Sequence, residues 1–279
     1  MKLLRLFFLS FAVLMACDNP FGQDEITGEN QIVSGVVTAT DAESAKGVYV
    51  WMDQVNVGTF TDEDGNFTLK IPPKSVLTET GIVTGDFDLY FYTISHELVI
   101  KKVVLRDGAV LYGNGDVGKK GKMSNIILLK NFHVKTVPVF PLPSTSGYQF
   151  ALSIASHFTS TMSDTKISIP NGNMSLLGGC FVINTETNET YLYDLPGTGK
   201  PFIATLDSQE KVWGFHPNTG DEIQVRTTYK TIPFVFPYYP DLPPELLKSI
   251  NVSETEINEN YLSILFSGEF GEFERPEPD

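Results

Sequence analysis

Cysteine is almost absent from this chain: two residues among 279, Cys17 and Cys180, cannot build a disulfide framework. Histidine is nearly as scarce. His96, His133, His157 and His216 lie far apart, and no HxxxH, HExxH or CxxC spacing offers a zinc site. Cations are also few, since Lys+Arg 20 against Asp+Glu 34 gives a formal net charge of −14. Such a deficit argues against nucleic acid or an anionic membrane surface as partner, because both need clustered positive charge. Neither a GxSxG elbow nor a GxxxxGK[ST] loop occurs, which removes two common routes to hydrolase and nucleotide chemistry. Nothing in the sequence calls for a metal or a cofactor.

Apolar material is plentiful. Hydrophobic residues make up 42% and aromatics 12%, so a sizeable core is available and wholesale disorder is excluded. Gly 23, Pro 17 and Phe 20, together with many Val, Ile and Thr, favour strands and turns over helices. The length suits one large domain or two of ordinary size.

The N-terminus carries the sharpest motif. Lys2 and Arg5 precede the apolar run Leu6–Met15. As a helix this run is about 15 Å long, half of a bilayer's hydrocarbon core, which suits a signal peptide and not a stable span. It ends in Leu14-Met15-Ala16-Cys17, which resembles the lipobox of bacterial lipoproteins. That resemblance implies cleavage of a signal peptide, residues 1–16, and lipidation of Cys17, whose thiol takes a diacylglyceryl group. It implies a cell-envelope protein held to the membrane through lipid on Cys17, at the outer membrane or cell surface in preference to the inner membrane. Asp18 resembles an inner-membrane retention signal and Gln23-Asp24-Glu25 an acidic export tag, and the two clues conflict. Residues 17–30 read as the anchor and a flexible tether.

Residues 31–130 are a string of short strand-like runs divided by turns, the pattern of a sandwich or barrel. Val33-Ser34-Gly35-Val36-Val37, Gly47-Val48-Tyr49-Val50 and Gly58-Thr59-Phe60-Thr61-Asp62-Glu63-Asp64-Gly65-Asn66-Phe67-Thr68-Leu69 resemble the carboxypeptidase regulatory-like domain. That family implies a transthyretin-like β-sandwich and no peptidase activity of its own. Within it, Asp62–Asn66 reads as a hairpin turn with Gly65 at positive φ. The EF-hand alternative fails, because the twelfth position counted from Asp62 is Pro73.

Prolines 138, 141 and 143 mark a linker over 131–145. Residues 146–268 read as a second β-sandwich-like domain with one short helix, capped by Asp241, over 245–250. A final strand is expected over 260–267, followed by a frayed acidic tail, 269–279. The overall expectation is an all-β chain. Cys180, in an apolar stretch with no nearby base, reads as buried and inert. His96-Glu97 reads as a solvated pair rather than an acid–base couple.

Strand parity separates Val48, Val50 and Met52 from Tyr49 and Trp51. It likewise separates Phe87, Leu89 and Phe91 from Tyr90 and Tyr92. If the first sets form the core, Tyr49, Trp51, Tyr90 and Tyr92 form a candidate binding surface for a protein or glycan partner. The same parity also fits packing under a loop or against the second domain. Two functions stay open: a non-catalytic, lipid-anchored binding or structural module, and an envelope hydrolase with catalytic groups in the second domain.

Overall fold

The computed structural model describes residues 28–81, 84–139, 152–196, 200–217, 219–220, 222–275 and 277. The signal peptide expected over 1–16, the lipidation expected at Cys17 and the tether expected before Gly28 lie outside the described residues.

The first half supplies β1 (Ile32–Ala39), β2 (Tyr49–Met52), β3 (Val57–Phe60), β4 (Asn66–Lys70), β5 (Gly85–Tyr92), β6 (Val99–Arg106), β7 (Ala109–Val110) and β8 (Ile126–Leu128). They form two sheets, ordered β4-β1-β8 and β3-β2-β5-β6-β7. The first sheet pairs β1 antiparallel with β4 and parallel with β8. Alternation sets the inner faces: Phe67 and Leu69 point in from β4 while Asn66, Thr68 and Lys70 point out. Val48, Val50, Met52, Phe87, Leu89 and Phe91 complete the core from the second sheet, and Phe67 meets Phe91 edge-on at 5.4 Å.

The turn at Asp62–Asn66 is not a hairpin. Its flanking strands belong to different sheets, so it is a corner that folds the chain from one layer to the other. The Asp62 carboxylate accepts from the backbone N–H groups of Asn66 at 2.8 Å and Asp64 at 3.1 Å, which holds its carboxyl below the usual range. Gly65 has φ +76°, and a Cβ there would collide with the Val37 carbonyl oxygen.

The second half contains β9 (His133–Val139), β10 (Ser153–Thr159), β11 (Thr165–Ile169), β12 (Gly179–Asn184), β13 (Thr190–Asp194), β14 (Phe202–Leu206), β15 (Lys211–Phe215), β16 (Thr228–Pro233), β17 (Phe236–Pro237) and β18 (Glu272–Glu274). Three sheets result, β15-β10-β9, β14-β11-β17 and β13-β12-β16-β18. The chain is all-β, with two short helices among the described residues, α1 (Lys74–Thr80) and α2 (Pro244–Lys248).

Several boundaries differ from the sequence reading. The expected linker 131–145 contains β9, paired with β10 from His133 to Val139. Pro138 fits there because beyond Lys135 the other side of β9 has no ladder among the described residues, so its missing N–H costs no bond. The expected tail contains β18, where Phe273 turns inward and stacks on Tyr229 at 5.5 Å. The expected strand over 260–267 starts as a 3-10 turn, Glu259–Ser263, because the Asn258 side chain caps it by accepting from the Asn260 N–H. Helix α1 was hidden behind Pro72-Pro73, and α2 starts after Pro243 and not at Asp241.

Candidate functional site

The four aromatic residues expected to form a binding face are all buried. Trp51 and Tyr92 are 0% exposed, Tyr49 3% and Tyr90 7%. Parity separates them from the first core as expected, but their side of the sheet meets the second half instead of solvent. They join one cluster with Phe158, Phe181, Trp213, Tyr261 and others from the second half. The Trp51 indole N–H donates to Asn56 Oδ1 at 3.1 Å, and Tyr49 Oη lies 2.6 Å from Ser249 Oγ just after α2. These residues are therefore the joint between the halves and not the exposed binding surface expected from strand parity. The proline-punctuated stretch after β16 serves the same core, with Phe234, Val235 and Phe236 buried.

The joint leaves an open cleft of about 900 Å³ at the end of β1. One wall is the Asp41–Lys46 turn. The other is the outer face of the β15-β10-β9 sheet, which presents Lys135 and His157, and the 265–270 segment crosses between them. Its charges come largely in pairs. Lys46 Nζ meets Glu63 at 2.5 Å, Lys135 meets Glu269 at 3.4 Å, and His157 Nδ1 lies 3.0 Å from Glu210. Phe266 and Phe270 sit edge-to-face at 5.1 Å, both half-buried, and Lys230 Nζ lies 5.3 Å from the Phe270 ring centre. An amine over a ring face adds a favourable cation–π contact.

At the back of the cleft Lys130 is nearly buried. Its ammonium donates to the Ser267 carbonyl oxygen at 2.6 Å and to Ser267 Oγ, and it lies 3.4 Å from Ser95 Oγ. Burial lowers its pKa to about 8, because desolvation penalises the charged form. His96, bridged to Lys130 across the backbone, is fully buried, which corrects the solvated reading. Its Nε2 lies 2.9 Å from the Thr40 carbonyl oxygen, so that nitrogen carries the proton, and burial brings the pKa down to about 4. A neutral imidazole committed to Thr40 is a structural bolt.

Cys180 is fully buried, its thiol pushed well up by desolvation. Among the described residues, no group of three or more His, Cys, Asp or Glu side chains is placed to hold a metal ion. Sequence reasoning missed Lys130, Phe266 and Phe270. The available signal was the pair of phenylalanines in Gly268-Glu269-Phe270-Gly271-Glu272-Phe273, too apolar for a frayed acidic tail.

No family model matches the sequence. The major DNA-binding protein of Elephantid herpesvirus 1 is 27% identical over 237 residues, 74% of this chain. The chain spans 20% of the length of that relative. A solved structure from Bacteroides uniformis, of a protein named for carbohydrate binding, shares 9% identity and covers 72% of this chain and 87% of its own. Its TM-score is 0.29, too low for the two to be compared site by site.

Proposed function

We propose that this chain is a non-catalytic, lipid-anchored cell-envelope protein that holds a glycan in the cleft between its two β halves. The observation that carries the reading is the half-buried Phe266–Phe270 pair, ringed by lysine–carboxylate pairs. The C–H face of a sugar packs on an aromatic face. Its hydroxyls donate and accept at once, which suits amines and carboxylates side by side. The lipobox-like Leu14–Cys17 supports the anchor, and the two-layer first half supports the likeness to the carboxypeptidase regulatory-like domain. DNA binding is not carried over from the viral protein, given the −14 net charge and the small share of that protein matched.

The test is an array of bacterial and plant cell-wall oligosaccharides probed with the purified chain and with Phe270→Ala. The account expects at least one oligosaccharide to be retained and the variant to bind it roughly tenfold more weakly. Retention of none, or equal binding by both, would sink it.

A hydrolase is the second reading, favoured by one contact: Ser267 Oγ against an amine whose pKa is near 8. A hydroxyl beside a neutral lysine can act as a nucleophile with the amine as base. Against it, the Ser267 N–H already donates to Ser95 Oγ at 3.1 Å and is not free to stabilise an oxyanion. Labelling of Ser267 by a fluorophosphonate probe, lost in Lys130→Ala, would establish this second reading.

A further inference from the structure

The chain is acidic overall, yet four lysines gather where β1 begins. Lys70 pairs in register with Ile32 on one flank of the strand. On the other flank Lys122 bridges to Ser34, with Lys119 and Lys120 in the 3-10 turn just before it. All four are exposed, and none has an ion-pair partner among the described residues. The other lysines of this half behave differently: Lys46, Lys74, Lys101 and Lys102 each face a carboxylate, and Lys130 is buried against Ser267. A shallow groove of about 560 Å³ on the outer face of the β4-β1-β8 sheet runs between Lys122 and Val36. Val36 is 42% exposed, and Ile127, further along the same sheet, is 55% exposed.

We propose that this end of the first sandwich docks on the anionic lipid surface that carries the anchor, with Lys70, Lys119, Lys120 and Lys122 against the headgroups. The proposal rests on the lipid-anchor reading of Cys17. Two observations select a bilayer as the occupant. The described chain starts at Gly28 with a 3-10 turn, Gly28–Gln31, immediately before this patch, and Cys17 precedes Gly28 by eleven residues. Eleven residues reach at most about 40 Å even when fully drawn out, so a lipid on Cys17 keeps the lysines near the headgroups. Charge complementarity is the second: unpaired amines beside exposed aliphatic side chains fit a headgroup layer with hydrocarbon beneath it. Nucleic acid fits less well, because the groove beside Lys122 is lined by neither arginine nor an exposed aromatic for base stacking.

Docking this way has a consequence for the cleft. The lysines flank the start of β1 and the cleft opens past its end, at Asp41. At about 3.3 Å per residue the strand holds the cleft roughly 25 Å from the lipid surface, facing outward. The net charge misleads here, because attraction falls off within a screening length of about 8 Å and is decided by the nearest charges.

The experiment uses the chain from Asp18 onward, which keeps every described residue and has no lipid. Vesicles of mixed phosphatidylcholine and phosphatidylglycerol are compared with pure phosphatidylcholine, by co-flotation at low and physiological salt. The expected result is binding to the anionic vesicles alone, weakened by salt. A Lys119→Gln, Lys120→Gln, Lys122→Gln variant should lose on the order of 100-fold in affinity, about fivefold per lysine. The exposed Lys248→Gln control should bind as the parent does, and circular dichroism confirms that each variant folds. Equal binding by the triple variant would overturn the proposal, as would indifference to lipid charge. Tighter binding of a single-stranded oligothymidylate through the same lysines would assign the patch to nucleic acid. Palmitate labelling of Cys17 in cells reads the anchor separately. Labelling without vesicle binding removes only the docking face, and vesicle binding without labelling removes only the anchor.

Discussion

Replacing Trp51 with alanine tests whether the two β halves are one cooperative body. The indole is 0% exposed, lies 5.7 Å from the Tyr90 ring and belongs to the cluster shared with the second half. Burying roughly 200 Å² of aromatic surface at about 25 cal/mol per Å² is worth about 5 kcal/mol as an upper bound. Truncation of a buried Trp typically costs about 3–5 kcal/mol, including the cavity, while the exposed Asn56 side chain that accepts from the indole N–H turns to water. The chain has only two tryptophans, so in Trp51→Ala the remaining Trp213, on β15 of the second half, reports that half alone. Urea unfolding followed by Trp213 fluorescence and by far-ultraviolet circular dichroism should give coincident transitions. Both should shift down by more than about 1 M, for a slope near 3 kcal/mol per M. If the Trp213 transition stays where it is in the parent while circular dichroism shows an earlier one, the halves unfold independently and the shared core is refuted.

Three further predictions follow from single contacts. Gly65→Val combines a positive φ with a Cβ driven into the Val37 carbonyl, and should lower stability by about 3 kcal/mol in chemical denaturation, whereas no change would remove the corner assignment. Tyr49→Phe loses the 2.6 Å contact with Ser249 and should cost about 1 kcal/mol; Tyr92→Phe should be neutral or stabilising, because Tyr92 Oη is enclosed without a hydrogen-bond partner among the described residues, and the reverse order would contradict both assignments. His96 should make stability fall with acid: its folded pKa near 4 lies below the open-chain value of 6.5, so the unfolded chain binds the extra proton in between, and about 3 kcal/mol present above pH 6.5 is lost as pH drops toward 4. In His96→Gln that slope should flatten across this window, and an undiminished slope would assign the acid sensitivity to other groups.

Much of the first half was legible because two-residue alternation is a local signal. Phe67 and Leu69 on β4, and Val48, Val50 and Met52 around β2, could be placed on an inner face from the sequence alone. What faced them on the other side could not, because parity is blind to what covers a sheet. Tyr49 and Trp51 therefore fit a binding face and packing against the second domain alike, and it is the second half that closes over them. The Asp62–Asn66 turn was identifiable from its residues, yet whether it joins strands of one sheet or two depends on pairings 30 residues away. The cleft was least accessible. Lys130, Lys230 and Phe270 are separated by up to 140 positions and meet only because the 265–270 segment returns to the first half, where Leu265 N–H donates to the Gly47 carbonyl at 2.8 Å.

The central claim is that the cleft at the end of β1 is where the chain holds its ligand. Amide hydrogen exchange, measured with and without the oligosaccharide most strongly retained on the array, tests it directly. The account predicts slowed exchange in peptides covering 41–46 and 265–270, with the outer face of the β4-β1-β8 sheet unchanged. Protection confined to any other surface, with 265–270 exchanging as in the free protein, would contradict it.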